Sequence, residues 1–266
     1  MRALPERAAW TLFALLPGTV LLGLAEPGRG SVLVLAVLLA VAIEAVALRL
    51  AGRPARELRD GGAVLTGLLI ALLIPLATPM WLIATAVLVA VLGSRVAFGG
   101  AGGIVLHPAM LGLAVAALAP LTAPPPAVAA VVAGFPIDAR HVAAAFAAGG
   151  LLLLALRILR WQAPLALLAT LALFATLAGG ELHAAFSPLA AAGTWLVAIF
   201  VAGDGASGCV GSRGRLAFGT GVGALALPLL QPGDVVGGLV PAVLLMNLLA
   251  PALDRWLAPA PPQVDA

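Results

Sequence analysis

The stretch SVLVLAVLLAVAIEAVALRL, running from Ser31 to Leu50, decides what kind of molecule this is. Only Ser31, Glu44 and Arg49 in it are not Ala, Val, Leu or Ile. A helix needs ~20 mostly apolar residues to cross the ~30 Å hydrocarbon core of a bilayer, and this run supplies them. Runs of the same kind recur along the chain, broken by Pro, Gly and charge. Ten candidates result: Ala8–Ala25, Ser31–Leu50, Ala63–Leu76, Trp81–Leu92, Ile104–Ala119, Val142–Leu159, Pro164–Ala178, Pro188–Ala202, Leu216–Leu230 and Val235–Leu257. The third, fourth and fifth are short for a full crossing, so broken or tilted helices are expected there. The first has no small-residue cleavage site after a short apolar core and reads as a retained helix.

Composition agrees. The chain is 63% hydrophobic and 9% charged, with a mean hydropathy of +1.16, where soluble domains are nearer ~45–50% apolar and ~25% charged. The expected fold is therefore all-α, a single polytopic transmembrane domain over residues 1–266. Residues 258–266, Pro-rich, are expected to form a disordered tail. The basic residues number 14, all Arg, and they are dispersed between the apolar runs. A nucleic-acid binder would gather them on one face, so no nucleic-acid partner is expected. Cys209 is the lone cysteine, which excludes an intrachain disulfide and a Cys-only metal site.

Arginine placement gives an orientation. With the N-terminus in the cytoplasm and ten alternating spans, 12 of the 14 Arg fall inside, and only Arg29 and Arg140 fall outside. That is the bias of the positive-inside rule, and it predicts N-in and C-in. Ten spans divide as five plus five, in halves of roughly residues 1–120 and 140–257. An odd number per half makes the second half enter from the opposite face, the arrangement of inverted repeats.

Few polar residues interrupt the apolar runs, and each needs a reason. Glu44 stands inside the second run, where an ionisable group costs ~2.5–3.5 kcal/mol or more unless it meets charge, protein or water. It either pairs with an arginine near the membrane edge, Arg49 or one from another helix, or it lines a cation or proton path. Gly and Pro gather at Gly99–Gly103, just before His107-Pro108-Ala109-Met110, and again from Gly203 to Gly214, which holds Asp204, Ser207, Cys209 and Arg213. Such breaks suit close backbone approach, and at membrane depth they are tolerated only against protein or a cavity. Neither is a phosphate loop of the Walker kind, which requires a Lys. His107, His141 and His183 are too scattered for a metal site, and Ser207 lacks the strand-to-helix elbow of a catalytic serine. No catalytic residue is assigned.

Taken in order, several stretches resemble the RnfD/NqrB family. Leu58-Arg59-Asp60-Gly61-Gly62-Ala63-Val64-Leu65-Thr66-Gly67 is similar to the segment that opens that family's third helix. His107-Pro108-Ala109-Met110 resembles its Asn-Pro-Ala-Met motif, with His in place of Asn. Ala202-Gly203-Asp204-Gly205-Ala206-Ser207-Gly208 and Asn247-Leu248-Leu249-Ala250-Pro251-Ala252-Leu253-Asp254 resemble its Thr-Asp-Pro-Val-Ser-Gly segment and the Asn-x-x-x-Pro-x-x-Asp helix after it. The resemblance implies ten helices in two inverted halves and a membrane subunit of an ion-translocating electron-transfer complex in the bacterial inner membrane. It implies partner subunits carrying iron–sulfur centres and flavins, and a cation, sodium or proton, moved with the electrons. On it, Asp60, Gly61, Thr66, His107, Asp204 and Ser207 become candidate cofactor-binding residues and Glu44 an ion-pathway residue.

One departure bears on the cofactor. The family's FMN is joined to a Thr in an outward loop, within a Ser-Gly-Ala-Thr-like motif. The matching stretch here, Pro120 to His141, holds only Thr122 and no such motif. Covalent FMN is not expected, and any flavin, FMN or riboflavin, would be held non-covalently. Two other classes remain in view: a solute channel or transporter of similar inverted-repeat build, and a non-catalytic membrane scaffold.

Overall fold

A computed structural model of the chain describes residues 4–97, 103–118, 139–177, 191–205, 208–229 and 235–257. Among them every regular element is helical. The ten α-helices are α1 (Leu4–Ala25), α2 (Arg29–Leu50), α3 (Gly62–Leu73), α4 (Met80–Ala90), α5 (Pro108–Leu118), α6 (Ala139–Ala155), α7 (Gln162–Leu177), α8 (Ala192–Leu196), α9 (Ser212–Ala226) and α10 (Val235–Trp256). A 3₁₀ turn, Ala55–Asp60, precedes α3. Two helices end by widening into π-turns: α4 into Val91–Val96 and α8 into Val197–Val201.

The deciding run forms α2, and its two faces show why the molecule belongs in lipid. Val32, Ala36, Ala40, Glu44 and Leu48 recur at the four-residue spacing of one helix face and are buried. Val34, Leu38, Val46 and Leu50 project from α2 58–83% exposed. Phe13, Leu16, Val20 and Leu24 do the same on α1. An outer surface this apolar would be costly in water and is satisfied by acyl chains. The protein is a polytopic α-helical membrane protein.

Glu6–Ala25, Arg29–Leu50 and Val236–Trp256 are long and apolar enough to span by themselves. The third to fifth runs are short, as expected, and α6 and α7, at 17 and 16 residues, are also shorter than the three that span alone. The 12 residues of α3 rise only ~18 Å. That helix stops where Ile74 turns extended ahead of Pro75. Its last carbonyls are not left bare: Arg29, buried at the start of α2, donates to Ala71 O at 2.6 Å and to Ile74 O at 2.7 Å. Carbonyls at a helix C-terminus lack intrahelical donors, and in an apolar setting a guanidinium is a strong substitute.

Several packing partners, though not the α2–α3 pair, recur in the two halves. Helix α4 packs on α5 as α9 packs on α10, α2 on α4 as α7 on α9, α3 on α5 as α8 on α10, and α1 on α3 as α6 on α8. Between the halves, α1 lies against α6. Small residues permit these approaches: a Cβ on Gly149 would stand 2.1 Å from Ala14 O, and one on Gly219 would stand 2.2 Å from Ala163 O. Lipid offers no hydrophobic drive between helices, so close backbone contact of this kind holds them together.

Candidate functional site

The polar residues gather at the end of the molecule where α2 finishes, α3 and α5 begin, and α4 ends. At the centre is Arg95. The π-turn that closes α4 buries both Ser94 and Arg95, and such turns are frequent where a helix serves a site. Arg95 Nε donates to Glu44 Oε1 at 3.0 Å and Nη2 to the same oxygen at 2.7 Å. Nη2 also donates to Asp60 Oδ2 at 2.8 Å and Oδ1 at 3.1 Å. One guanidinium thus holds two carboxylates from different elements. Glu44 and Arg95 are both 4% exposed, so the pair is sealed from solvent.

Local geometry around Asp60 explains the Asp60-Gly61-Gly62 sequence. Asp60 Oδ1 accepts the Gly62 N–H at 2.7 Å, putting a carboxylate at the start of α3 where free N–H groups and the helix dipole favour it. Gly61 turns the chain at φ 75°, a left-handed conformation that side chains resist. Gly62 makes room for the cation: a Cβ there would lie 1.9 Å from Arg95 Nη1. One turn on, Thr66 is buried and its hydroxyl donates to Gly62 O at 2.8 Å.

The fourth oxygen of this cluster is different. Glu44 Oε2 is buried and accepts no hydrogen bond. Glu44 and Asp60 contribute −1 each and Arg95 +1, giving a formal charge of −1 for the three groups bonded together. A buried, unpartnered carboxylate oxygen is rare in folded proteins and calls for an explanation such as a bound ion or proton.

The polar end extends toward the second half. Ser94 Oγ donates to Leu106 O, tying the π-turn to the segment that leads into α5. Next along, His107 is buried and opens α5, its carbonyl accepting Leu111 N–H at 3.0 Å. Pro108 follows at the first helical position, where a missing N–H costs nothing. His107 Nε2 stands 3.9 Å from Asp204 Oδ2, on the segment after the α8 π-turn. Both π-turns therefore deliver polar residues to this end of the molecule. Beyond Asp204, the Cys209 thiol donates to Ala250 O at 3.6 Å. Burial, aided by the Asp254 charge, pushes that thiol up to about 11, so it is an inert packing group.

The sequence candidates divide accordingly. Glu44 pairs with an arginine from another helix, Arg95, and Arg49 is exposed. Asp60, Gly61 and Thr66 share the α3 start with that pair, and His107 and Asp204 face each other across the halves. Ser207 and Thr122 lie outside the described residues, as do His183, most of the Gly99–Gly103 break and the tail. Sequence reasoning missed Arg95 as the organising group, and with it Ser94 and Gly62. The available signal was Gly93-Ser94-Arg95 set immediately after the apolar run ending at Leu92.

Whether these residues could cradle a flavin can be judged from their engagement. Both Asp60 oxygens and the Thr66 hydroxyl are already bonded within the protein. A Cβ on Gly61 would already lie 2.8 Å from the Ala8 Cβ, and one on Gly62 would overlap Arg95. The polar groups of the Asp60–Thr66 segment are thus engaged mainly with one another and with Arg95.

The amino-acid sequence is similar to those of known proteins along nearly its whole length. The family model described as NQR2, RnfD, RnfE matches residues 2–124 and 126–262. A Marinobacter nauticus protein, named as a subunit of an ion-translocating oxidoreductase complex, is 31% identical over 94% of this chain and 89% of its own length. A Pseudomonas aeruginosa protein of the same name is 34% identical over 93% of this chain and 88% of its length. One from Escherichia fergusonii is 29% identical over 85% of each. With a model matched from one end of the chain to the other and relatives aligned across nearly all of it, this protein belongs to the NQR2, RnfD, RnfE family.

Proposed function

We propose that the chain is a membrane subunit of a complex that couples electron flow to cation movement across the bacterial inner membrane, and that Glu44 lies on the cation's path. Family membership and relatives named for ion-translocating oxidoreductase complexes support the first part. The observation that carries the second is the buried Glu44 Oε2, left without a partner in a cluster of formal charge −1. Uncompensated charge away from water is strongly disfavoured, and a proton or a monovalent cation would neutralise it. Arg95 fits this role as a fixed counter-charge that leaves one carboxylate oxygen available. The Arg distribution supports N- and C-termini in the cytoplasm, and in that orientation the cluster would lie at the cytoplasmic end of the path.

For the cofactor, the reading is that this chain carries no covalent FMN, because the expected loop lacks the Ser-Gly-Ala-Thr-like motif. The engagement of the Asp60–Thr66 polar groups supports placing any non-covalent flavin elsewhere in the complex. Purification of the tagged chain from its native membranes in mild detergent tests both points. The expected result is co-purifying redox subunits with visible flavin and iron–sulfur absorbance, and no fluorescent band at this chain's position on a denaturing gel. Recovery of the chain alone, from membranes in which it is stable, would favour a channel or transporter.

A further inference from the structure

Away from the Glu44 cluster, a cavity opens between the start of α1, the α6–α7 corner and the loop ahead of α9. It is lined by Arg7, Arg160 and Arg215 together with Asp204, Cys209 and Phe218. Three cations facing one small space repel one another, and an anion between them would relieve that repulsion. Arg215 is pinned for that task. Its Nε donates to Cys209 O at 3.1 Å and its Nη2 to Val210 O. Its Nη1 is buried with no acceptor. Neither Arg7 nor Arg160 has a carboxylate within ion-pair distance among the described residues.

The acidic groups nearby offset only part of this charge. Asp204 lines the same cavity and also stands 3.9 Å from His107, and Asp254 is spent on the backbone, accepting Val210 N–H at 2.8 Å and Gly211 N–H at 3.0 Å. Even with both counted, three Arg against two Asp leave a charge of +1. The cavity has a volume of about 60 Å³. One water needs ~10–15 Å³ of such space, so the cavity suits the five heavy atoms of a phosphate.

We propose that Arg7, Arg160 and Arg215 form a binding site for a phosphate group, with Arg215 Nη1 as its buried donor. Its position favours the headgroup of an anionic phospholipid. Trp161, next to Arg160, is 51% exposed and Trp256, two residues from Asp254, is 78% exposed, and tryptophans of this kind mark the headgroup level of a bilayer. Free phosphate presents the same chemistry. The site does not depend on Glu44 or on electron transfer, and binding is read without turnover.

Native mass spectrometry of the purified protein, titrated with phosphatidylglycerol or phosphatidylcholine, tests it, alongside the shift in melting temperature caused by inorganic phosphate. The expected result is tighter retention of one phosphatidylglycerol, weakened about fivefold or more in Arg7→Gln and Arg160→Gln, a factor in keeping with loss of one arginine contact. Both are exposed side chains, so the fold survives their replacement, whereas Arg215→Gln also removes bonds that hold the loop. Stabilisation by inorganic phosphate that is lost in the same two variants would support the site and identify free phosphate as its ligand. Equal binding of the two lipids with no phosphate effect, or binding indifferent to both variants, would overturn the proposal.

Discussion

At the scale of single residues, Arg95 is the group on which the polar end depends. It is the hydrogen-bonding partner of Glu44 and of both oxygens of Asp60. Removing one side of a buried ion pair strands the other, at a cost of about 3–5 kcal/mol. Arg95→Ala is therefore expected to lower the unfolding free energy in detergent by about that amount, with two carboxylates left facing each other. Arg49→Ala, at an exposed position on α2, is expected to change it by less than about 0.5 kcal/mol. Chemical denaturation followed by tryptophan fluorescence checks both, and equal effects would show that the pairing contributes nothing particular. Glu44 itself was legible as an anomaly, because a lone carboxylate in an apolar run needs a reason. Its partner was not, since Arg95 lies 51 residues away and only the fold brings the two together.

At the scale of helices, contact is set by what is missing from glycine. Alanine is the better helix former by about 1 kcal/mol, so Gly→Ala stabilises a helix wherever there is space. On α1, Gly23 has nothing within 4 Å of an added Cβ, and Gly23→Ala is expected to be neutral or stabilising by about 0.5–1 kcal/mol. On α9, Gly219 would drive its Cβ to 2.2 Å from Ala163 O on α7. There Gly219→Ala is expected to destabilise by about 1–3 kcal/mol through overpacking. Thermal melts of the two variants, expected to move in opposite directions, check the argument. The positions of the helices were largely readable from the hydrophobic runs, down to the shortness of α3 and α5, whereas run length did not give helix length: among the described residues only α1, α2 and α10 are long enough to cross alone. The π-turns of α4 and α8 were not. Both lie in apolar or mixed sequence such as Val91–Val96, where nothing local separates a π-turn from an α-turn, and only their packing reveals them.

On the scale of the whole molecule, several helix contacts of residues 1–120 recur among the later helices, with α1 against α6 and α5 against α10 joining the two sets, and the spacing of the arginines along the chain favours one side of the membrane for most of them. A cysteine introduced beside Arg56 or Arg160, in a Cys209→Ser background, is expected to resist an impermeant thiol reagent applied from outside. One beside Glu181 is expected to react. The opposite pattern would invert the orientation and move the Glu44 cluster to the outer face. The central claim is that Glu44, held by Arg95 yet left with one free oxygen, carries the transported cation. Glu44→Gln keeps the size and one hydrogen-bond acceptor for Arg95 while removing the charge, so assembly is expected to persist. The most direct measurement is cation uptake per electron transferred, in vesicles containing the purified complex with wild-type Glu44 or with Gln. The account predicts a clear fall in uptake per electron for Glu44→Gln in a complex of unchanged subunit composition. Equal uptake per electron in the two would contradict it and leave Glu44 as no more than the structural partner of Arg95.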